Sequence, residues 1–232
     1  NRRDYVREQI KPGTPVLAAC LEGGIVMLGV GTGQSKVFEI HDRVALGGLG
    51  HPADIEKIRQ VAVDAAHLEA FTRAAEDISL RRLVSFNLGP VLKQQFEQLF
   101  SAPFLTELLL AELGKKPQED VLMNLHFDGA FQFQNGGIAV AASDADGAAA
   151  AVDWLSKQDT ETKPMKGAVK DLLEAWWMLT TEAFSSSLPS ENDRDAGWRK
   201  ASRGKTIEVA WLDRNSTRAA AYSQVEVESL GL

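Results

Sequence analysis

The feature that most constrains the fold is a series of apolar segments separated by glycines, between residues 16 and 50. Two apolar segments, Val16–Leu21 and Ile25–Val30, are joined by Glu22-Gly23-Gly24. Glycine readily adopts the positive φ that a tight hairpin requires. After a second glycine-rich turn, Lys36 opens a run in which side chains alternate between two faces from Val37 to Val44. This pattern predicts three consecutive antiparallel strands, and the apolar content of the first two predicts layers on both faces of their sheet.

The composition is that of an ordinary globular protein. The chain has 232 residues, of which 44% are hydrophobic, and this length favours one domain spanning residues 1–232. A net charge of −7 argues against binding to nucleic acid or to an anionic membrane surface. The single cysteine, Cys20, lies in an apolar strand, where a core role is favoured over a nucleophilic one; it is consistent with a cytoplasmic location. No apolar run reaches the ~18 residues of a membrane span.

The rest of the chain alternates helix pairs with antiparallel strands. Residues 1–12 predict an N-terminal helix with Tyr5, Val6 and Ile10 on one face, and the polar segment 185–205 predicts a long mobile loop. The other predicted elements are a helix from Pro52 to Ala75 ended by Asp77-Ile78-Ser79, a helical stripe from Val91 to Phe100, strands at 104–113, 120–127, 131–133 and 138–142, helices at 145–156 and 166–184, and strands at 207–212 and 218–222. The pattern of residues 79–88 is ambiguous between helix and other structure, because Gly89-Pro90 would interrupt a continuing helix. This order predicts an α+β fold, a four-layer αββα sandwich with two antiparallel sheets between helix layers.

Two motifs suggest ligand binding but have simpler explanations. The glycine-rich segment Gly29–Gly33 resembles a phosphate-binding loop, which needs a helix directly after it. An alternating run follows instead, so a structural turn is favoured, and nucleotide binding remains the third-ranked function. His41 and Asp42 are neighbours on a strand and point to opposite faces, and the other histidines lack metal-ligand spacing. We therefore expect neither a metal nor a cofactor.

Thr14 and Lys36 form a possible catalytic pair. A threonine at the head of the first strand acts as a nucleophile when cleavage before it frees its amine, which then serves as the base. Lys36, at the head of the third strand, would lower the barrier electrostatically. The alternative is a turn threonine and a strand-edge lysine that forms an ion pair with Glu39 or another neighbour.

Four segments carry a resemblance to a known family. They are the segments GTPVLAACLEGGIVMLGV and KVFEIHDRVALGGLG within Gly13–Gly50, the segment PFLTELLLAELG, and the segment IEVAWLDRNSTR at Ile207–Arg218. Together they resemble a proteasome core-particle subunit, which has the N-terminal-nucleophile hydrolase fold. The last segment is similar to the ending of actinobacterial α-type subunits. The resemblance extends over nearly the whole chain.

The resemblance favours an α-type, non-catalytic subunit. It aligns Thr14 with the threonine of catalytic β-type subunits and Lys36 with their lysine, but Val30 stands where their carboxylate lies. Residues 1–13 precede Thr14, and segment 31–35 is shorter than in β-type subunits. The leading RRDYVREQI resembles the N-terminal helix of α-type subunits, which blocks the cleft. The alternative is a self-assembling β-type threonine peptidase that uses Thr14 and Lys36 after removal of residues 1–13.

The resemblance also implies partners. It implies a seven-membered ring of this chain, stacked outside a ring of β-type catalytic subunits and forming a gated entrance pore. Lys36, Gly48 and Leu49 match a pocket between neighbouring α-type subunits that receives the C-terminal carboxylate of an activator, commonly an ATPase ring. A lysine ammonium facing a carboxylate in a groove is chemically sensible.

Overall fold

The computed structural model describes residues 1–72 and 78–232 of the chain. The strands are β1 Val16–Leu21, β2 Gly24–Gly31, β3 Val37–His41, β4 Val44–Gly50, β5 Thr106–Glu112, β6 Val121–His126, β7 Phe131–Gln134, β8 Ile138–Ala141, β9 Thr206–Asp213 and β10 Tyr222–Gln224. The helices are α1 Arg2–Ile10, α2 Pro52–Thr72, α3 Leu80–Leu83, α4 Gly89–Glu97, α5 Ala145–Lys157, α6 Met165–Thr180 and α7 Glu191–Ala201. The predicted end of the second helix, between Ala75 and Asp77, lies outside the described residues.

The strands form two five-stranded antiparallel sheets that face each other. The first sheet has the order β10-β9-β2-β1-β8, and the second has the order β3-β4-β5-β6-β7. Apolar side chains from both sheets and from α1 pack between them. A second apolar cluster joins the outer face of the first sheet to α5, α6 and α7, and a third joins the outer face of the second sheet to α2, α3 and α4. The predicted four-layer αββα sandwich is confirmed.

The pairing of strands defines two different ends of the sandwich. Val16 at the start of β1 pairs with Gly29 near the end of β2, while Leu21 pairs with Gly24 across their tight turn. The starts of β1 and β3 and the ends of β2 and β4 therefore lie at one end, which we call the open end. The β1–β2 turn and the end of β9 lie at the other, which we call the closed end. Both candidate catalytic residues lie at the open end.

The predicted third strand is wrong in two respects. It is two strands, β3 and β4, joined by a turn at Asp42 and Arg43, and it belongs to the second sheet rather than to the sheet of β1 and β2. The pairing register shifts between Glu39 and His41, which breaks the side-chain alternation on which the prediction relied. Contacts from other elements stabilise the turn: Ala221 N donates to Asp42 O, and Leu113 N donates to Arg43 O.

The predicted mobile loop at 185–205 is also wrong, because α7 occupies its centre. Ser190 caps this helix by accepting a hydrogen bond from Asp193 N at 3.2 Å. Gly197, which had suggested a loop, permits close helix packing, since a Cβ there would lie 2.3 Å from a ring atom of Trp177 on α6. Arg194 Nε donates to Glu174 Oε2 of α6 at 2.6 Å. Packing against α6 therefore makes this polar segment helical.

The expected interruption at Gly89-Pro90 does not occur. A π-helical turn at Val84–Leu88 connects α3 to α4, and Pro90 occupies the first turn of α4, where a missing N–H is tolerated. At the C-terminus, the last strand of the final pair lies at Tyr222–Gln224, slightly later than predicted. The preceding segment is a longer turn.

Candidate functional site

Thr14 does not have the surroundings of a nucleophile. Its backbone nitrogen is in a peptide bond with Gly13, so it supplies no amine to act as a base. Its hydroxyl Oγ1 donates to the backbone oxygen of Val30 at 2.5 Å, which commits the proton to a carbonyl. Thr14 is half-buried and lines a groove of about 640 Å³ between α1 and the end of α6. Through this hydrogen bond, Thr14 connects the start of β1 to the end of β2.

The position that resembles the catalytic carboxylate is apolar and enclosed. The side chain of Val30 has no exposed surface and packs in the cluster that joins the first sheet to its covering helices. A valine neither accepts a proton nor orients an amine.

The first helix covers the open end of the space between the sheets. Val6 and Ile10 of α1 are almost fully buried among the apolar side chains there. At its N-terminus, the Arg2 guanidinium donates to the backbone oxygen of Ser101 at 2.6 Å, and Arg3 forms an ion pair with Asp128 at 2.9 Å. Tyr5, which was predicted to share the buried face, is instead half exposed. The helix is thus an integral part of the sandwich.

Lys36 lies at the head of β3 with its aliphatic stem on the glycine backbone of β2. A Cβ at Gly29 would lie 3.1 Å from Lys36 Cβ, and one at Gly31 would lie 3.1 Å from Lys36 Cδ. Burial lowers the pKa of Lys36 to about 8, although the negative charge of Glu208 acts in the opposite direction. In the described part of the chain we find no ion pair of Lys36 with Glu39, the partner considered from sequence. Its ammonium is therefore about equally charged and neutral near pH 8.

Sequence reasoning missed Glu208, which holds the backbone of the segment that carries Lys36. Both oxygens of its carboxylate accept from Lys36 N at 3.0 Å, and Oε2 also accepts from Val37 N at 3.1 Å. Glu208 comes from β9, where it pairs with Gly29 of β2. One signal was present: Glu208 is the single charged residue in the otherwise apolar segment 207–212.

The other two residues of the expected pocket differ in their surroundings. Gly48 N donates to the backbone oxygen of Lys36 at 2.9 Å, so these two positions are neighbours across β3 and β4. Gly48 faces α2, and a Cβ there would lie 3.3 Å from Ile55. Leu49 points to the opposite face and has no exposed surface. Only the backbone of Leu49 is thus available to line a pocket.

The remaining motifs give no ligand site. Gly29–Gly31 ends β2 and β3 follows after a short bend, so the helix that a phosphate-binding loop requires does not follow it. Among the described residues, no group of three or more His, Cys, Asp or Glu side chains is placed to hold a metal ion. None of the described helices is both long and apolar enough to cross a membrane.

A buried ion pair fastens the closed end of the sandwich. Arg214, just after β9, donates through Nη2 to Asp120 Oδ2 at 2.7 Å and through Nη1 to Gly114 O at 2.7 Å. It also donates through Nε to Glu22 O in the β1–β2 turn at 3.1 Å.

Burial and the nearby Asp120 raise the pKa of Cys20 to about 12, which favours its protonated thiol. Cys20 also packs against the apolar cluster between the sheets, so it is a packing residue.

Curated proteins named proteasome subunit alpha are similar to this chain. The protein from Pseudarthrobacter chlorophenolicus is 32% identical over 93% of this chain and 84% of its own length. The protein from an Arthrobacter species is 30% identical over 93% of this chain and 83% of its own length. The match to the protein from Acidimicrobium ferrooxidans, 32% identical, covers 63% of this chain and only 62% of that protein. No family model matches the chain. The similarity over almost the whole length shows that the chain belongs to the family of proteasome α subunits.

Proposed function

We propose that this chain is a non-catalytic subunit of the outer ring of a proteasome-like core particle in the cytoplasm. In this role it gates substrate entry and receives the C-terminal carboxylate of an activator, such as an ATPase ring, beside Lys36 and Gly48. The burial of α1 supports the non-catalytic role. Val6 and Ile10, which precede Thr14 in the sequence, pack inside the sandwich. Freeing the amine of Thr14 would remove these side chains from the core.

Exposed apolar side chains support assembly with other subunits. Phe71 at the end of α2, and Leu99 and Phe100 after α4, are almost entirely exposed. Adjacent exposed apolar side chains, such as Leu99 and Phe100, are typical of surfaces that another chain covers. We propose that the covering chains are copies of this chain and catalytic β-type subunits.

The first prediction concerns catalysis. The purified chain should hydrolyse no fluorogenic peptide, because Thr14 lacks a free amine and Val30 supplies no carboxylate. The measurement is the rate of fluorophore release by the wild-type chain and by Thr14→Ala, each alone and with a β-type partner. Turnover by the chain alone that disappears in Thr14→Ala would instead support the threonine peptidase alternative.

The second prediction concerns assembly. Co-expression with a β-type subunit should give a complex with several copies of each chain, measured as native mass. Phe100→Ser should weaken this assembly while leaving the melting temperature of the isolated chain nearly unchanged, because the exposed ring contributes little to the core. A chain that stays monomeric at high concentration with and without a β-type partner would contradict the ring proposal.

A further inference from the structure

The carboxylate of Glu208 contacts the backbone of Lys36, the lysine of the proposed docking site. It reaches the head of β3 from β9, a different sheet, and binds two consecutive backbone N–H groups, those of Lys36 and Val37. Hydrogen bonds from N–H groups to a carboxylate are stronger than those to a neutral acceptor. Glu208 therefore fixes the backbone from which the Lys36 side chain extends.

Glu208 does not form a direct ion pair with the ammonium of Lys36. Its oxygens are engaged by backbone amides, and in the described ranges 1–72 and 78–232 no carboxylate forms an ion pair with Lys36 Nζ. The negative charge still acts on the ammonium through space, and it raises the pKa of Lys36 against the effect of burial. The negative charge of Glu208 thus favours the charged form of the ammonium, while the N–H groups of that ammonium remain available to bind an incoming carboxylate.

We propose that Glu208 is a positioning residue for Lys36, a role that rests on the proposed docking function. It holds the lysine backbone with its oxygens and favours the charged ammonium with its negative charge, so that an incoming carboxylate meets a fixed cation. Other titratable groups near this segment are Glu39 on β3 and Tyr222 on β10, whose hydroxyl donates to Val37 O at 3.5 Å. Burial and the charges of Glu208 and Glu39 raise the pKa of Tyr222, so its hydroxyl is neutral where Lys36 titrates.

The third prediction tests this role with Glu208→Gln, which keeps the size and removes the charge. The probe is a fluorescent peptide of the last ten residues of a proteasomal ATPase, measured by anisotropy on assembled rings. The variant should bind the probe almost as well as wild type at pH 6, where Lys36 is charged in both proteins. At pH 8 binding should fall about fivefold below wild type, since loss of a neighbouring opposite charge lowers a lysine pKa by about 1.

Two further variants separate the charge from the backbone contacts. Glu208→Asp keeps the charge but is one methylene shorter, so it should weaken binding by a similar factor at both pH values. Glu39→Gln makes the same charge change at an exposed position on β3 and should bind like wild type at both. If Glu208→Gln does not fold, as judged by circular dichroism, Glu208→Asp is used for the test instead. Wild-type binding by Glu208→Asp would then overturn the proposal.

A second measurement tests the role of Glu208 independently of the docking function. Acetylation of Lys36 by acetic anhydride, followed across pH by mass spectrometry, reports its pKa without any peptide. A Lys36 pKa that is the same in wild type and Glu208→Gln overturns the role of Glu208, whatever the peptide does. If wild-type rings bind the free-acid peptide and its C-terminal amide equally, the docking function fails instead.

Discussion

Replacing Arg214 by alanine is expected to lower the free energy of unfolding by about 3–5 kcal/mol, because it leaves the carboxylate of Asp120 buried without its partner. The side chains of Arg214 and Asp120 are only 11% and 1% exposed, so little water reaches the ion pair in the folded chain. The guanidinium also donates to the backbone oxygens of Gly114 and Glu22, and these acceptors would lose a partner too. Chemical denaturation of the isolated chain measures the loss.

Arg218 provides the matched control, because it lies in the same turn but is exposed. Arg218→Ala should change stability by no more than about 0.5 kcal/mol. The variant Asp120→Asn should also destabilise the chain, and the double variant should lose less than the sum of the single losses, as expected for directly interacting groups. Additive losses would mean that the two side chains act independently and that the ion pair does not fasten the closed end.

Lys36→Ala should have the largest effect on activator docking. Losing one charge-assisted contact costs about 1.5–3 kcal/mol per site, which is roughly ten- to hundredfold in affinity. Because several tails dock on one ring, the loss for a whole activator is expected to be larger. The ring itself should remain intact, since the lysine stem packs on the surface of β2 rather than within an apolar cluster. The measurement is activator binding to assembled wild-type and Lys36→Ala rings.

The electrostatic origin of this effect has two signatures. Docking needs the charged ammonium, so wild-type affinity should be retained below pH 8 and should fall as pH rises through about 8, the pKa of Lys36. Raising salt should weaken wild-type binding and narrow its difference from the variant. The exposed Lys57 on α2 supplies a control, because Lys57→Ala should bind like wild type. Equal binding by wild type and Lys36→Ala at two salt concentrations would place the docking pocket elsewhere.

The residue pattern was sufficient to predict the architecture. Glycine turns between apolar segments specified the β1–β2 hairpin, and the alternation of strands with helix pairs specified two sheets between helix layers. These signals are local, because hydrophobic period and turn chemistry act over a few residues. The resemblance added the alignment of Thr14, Val30 and Lys36, which led to the expectation of a non-catalytic subunit.

Contacts between distant segments decided the details that local patterns could not predict. Helix α7 forms where a loop was predicted, since Gly197 permits close approach to Trp177 only after α6 is in place. The third predicted strand divides into β3 and β4 because backbone contacts from Leu113 and Ala221 stabilise the turn between them.

The candidate site shows the same division. The sequence by itself determined that Lys36 opens a strand at the end of the sandwich where Thr14 lies, because both follow from turn positions. Only the tertiary structure placed Glu208, 172 residues away, on the backbone of Lys36. Likewise, only folding buries Arg214 with Asp120, 94 residues apart. Such pairs depend on the order of strands within and between the sheets, and the hydrophobic period does not specify that order. The charged residues that support the site can therefore be identified only in the folded chain.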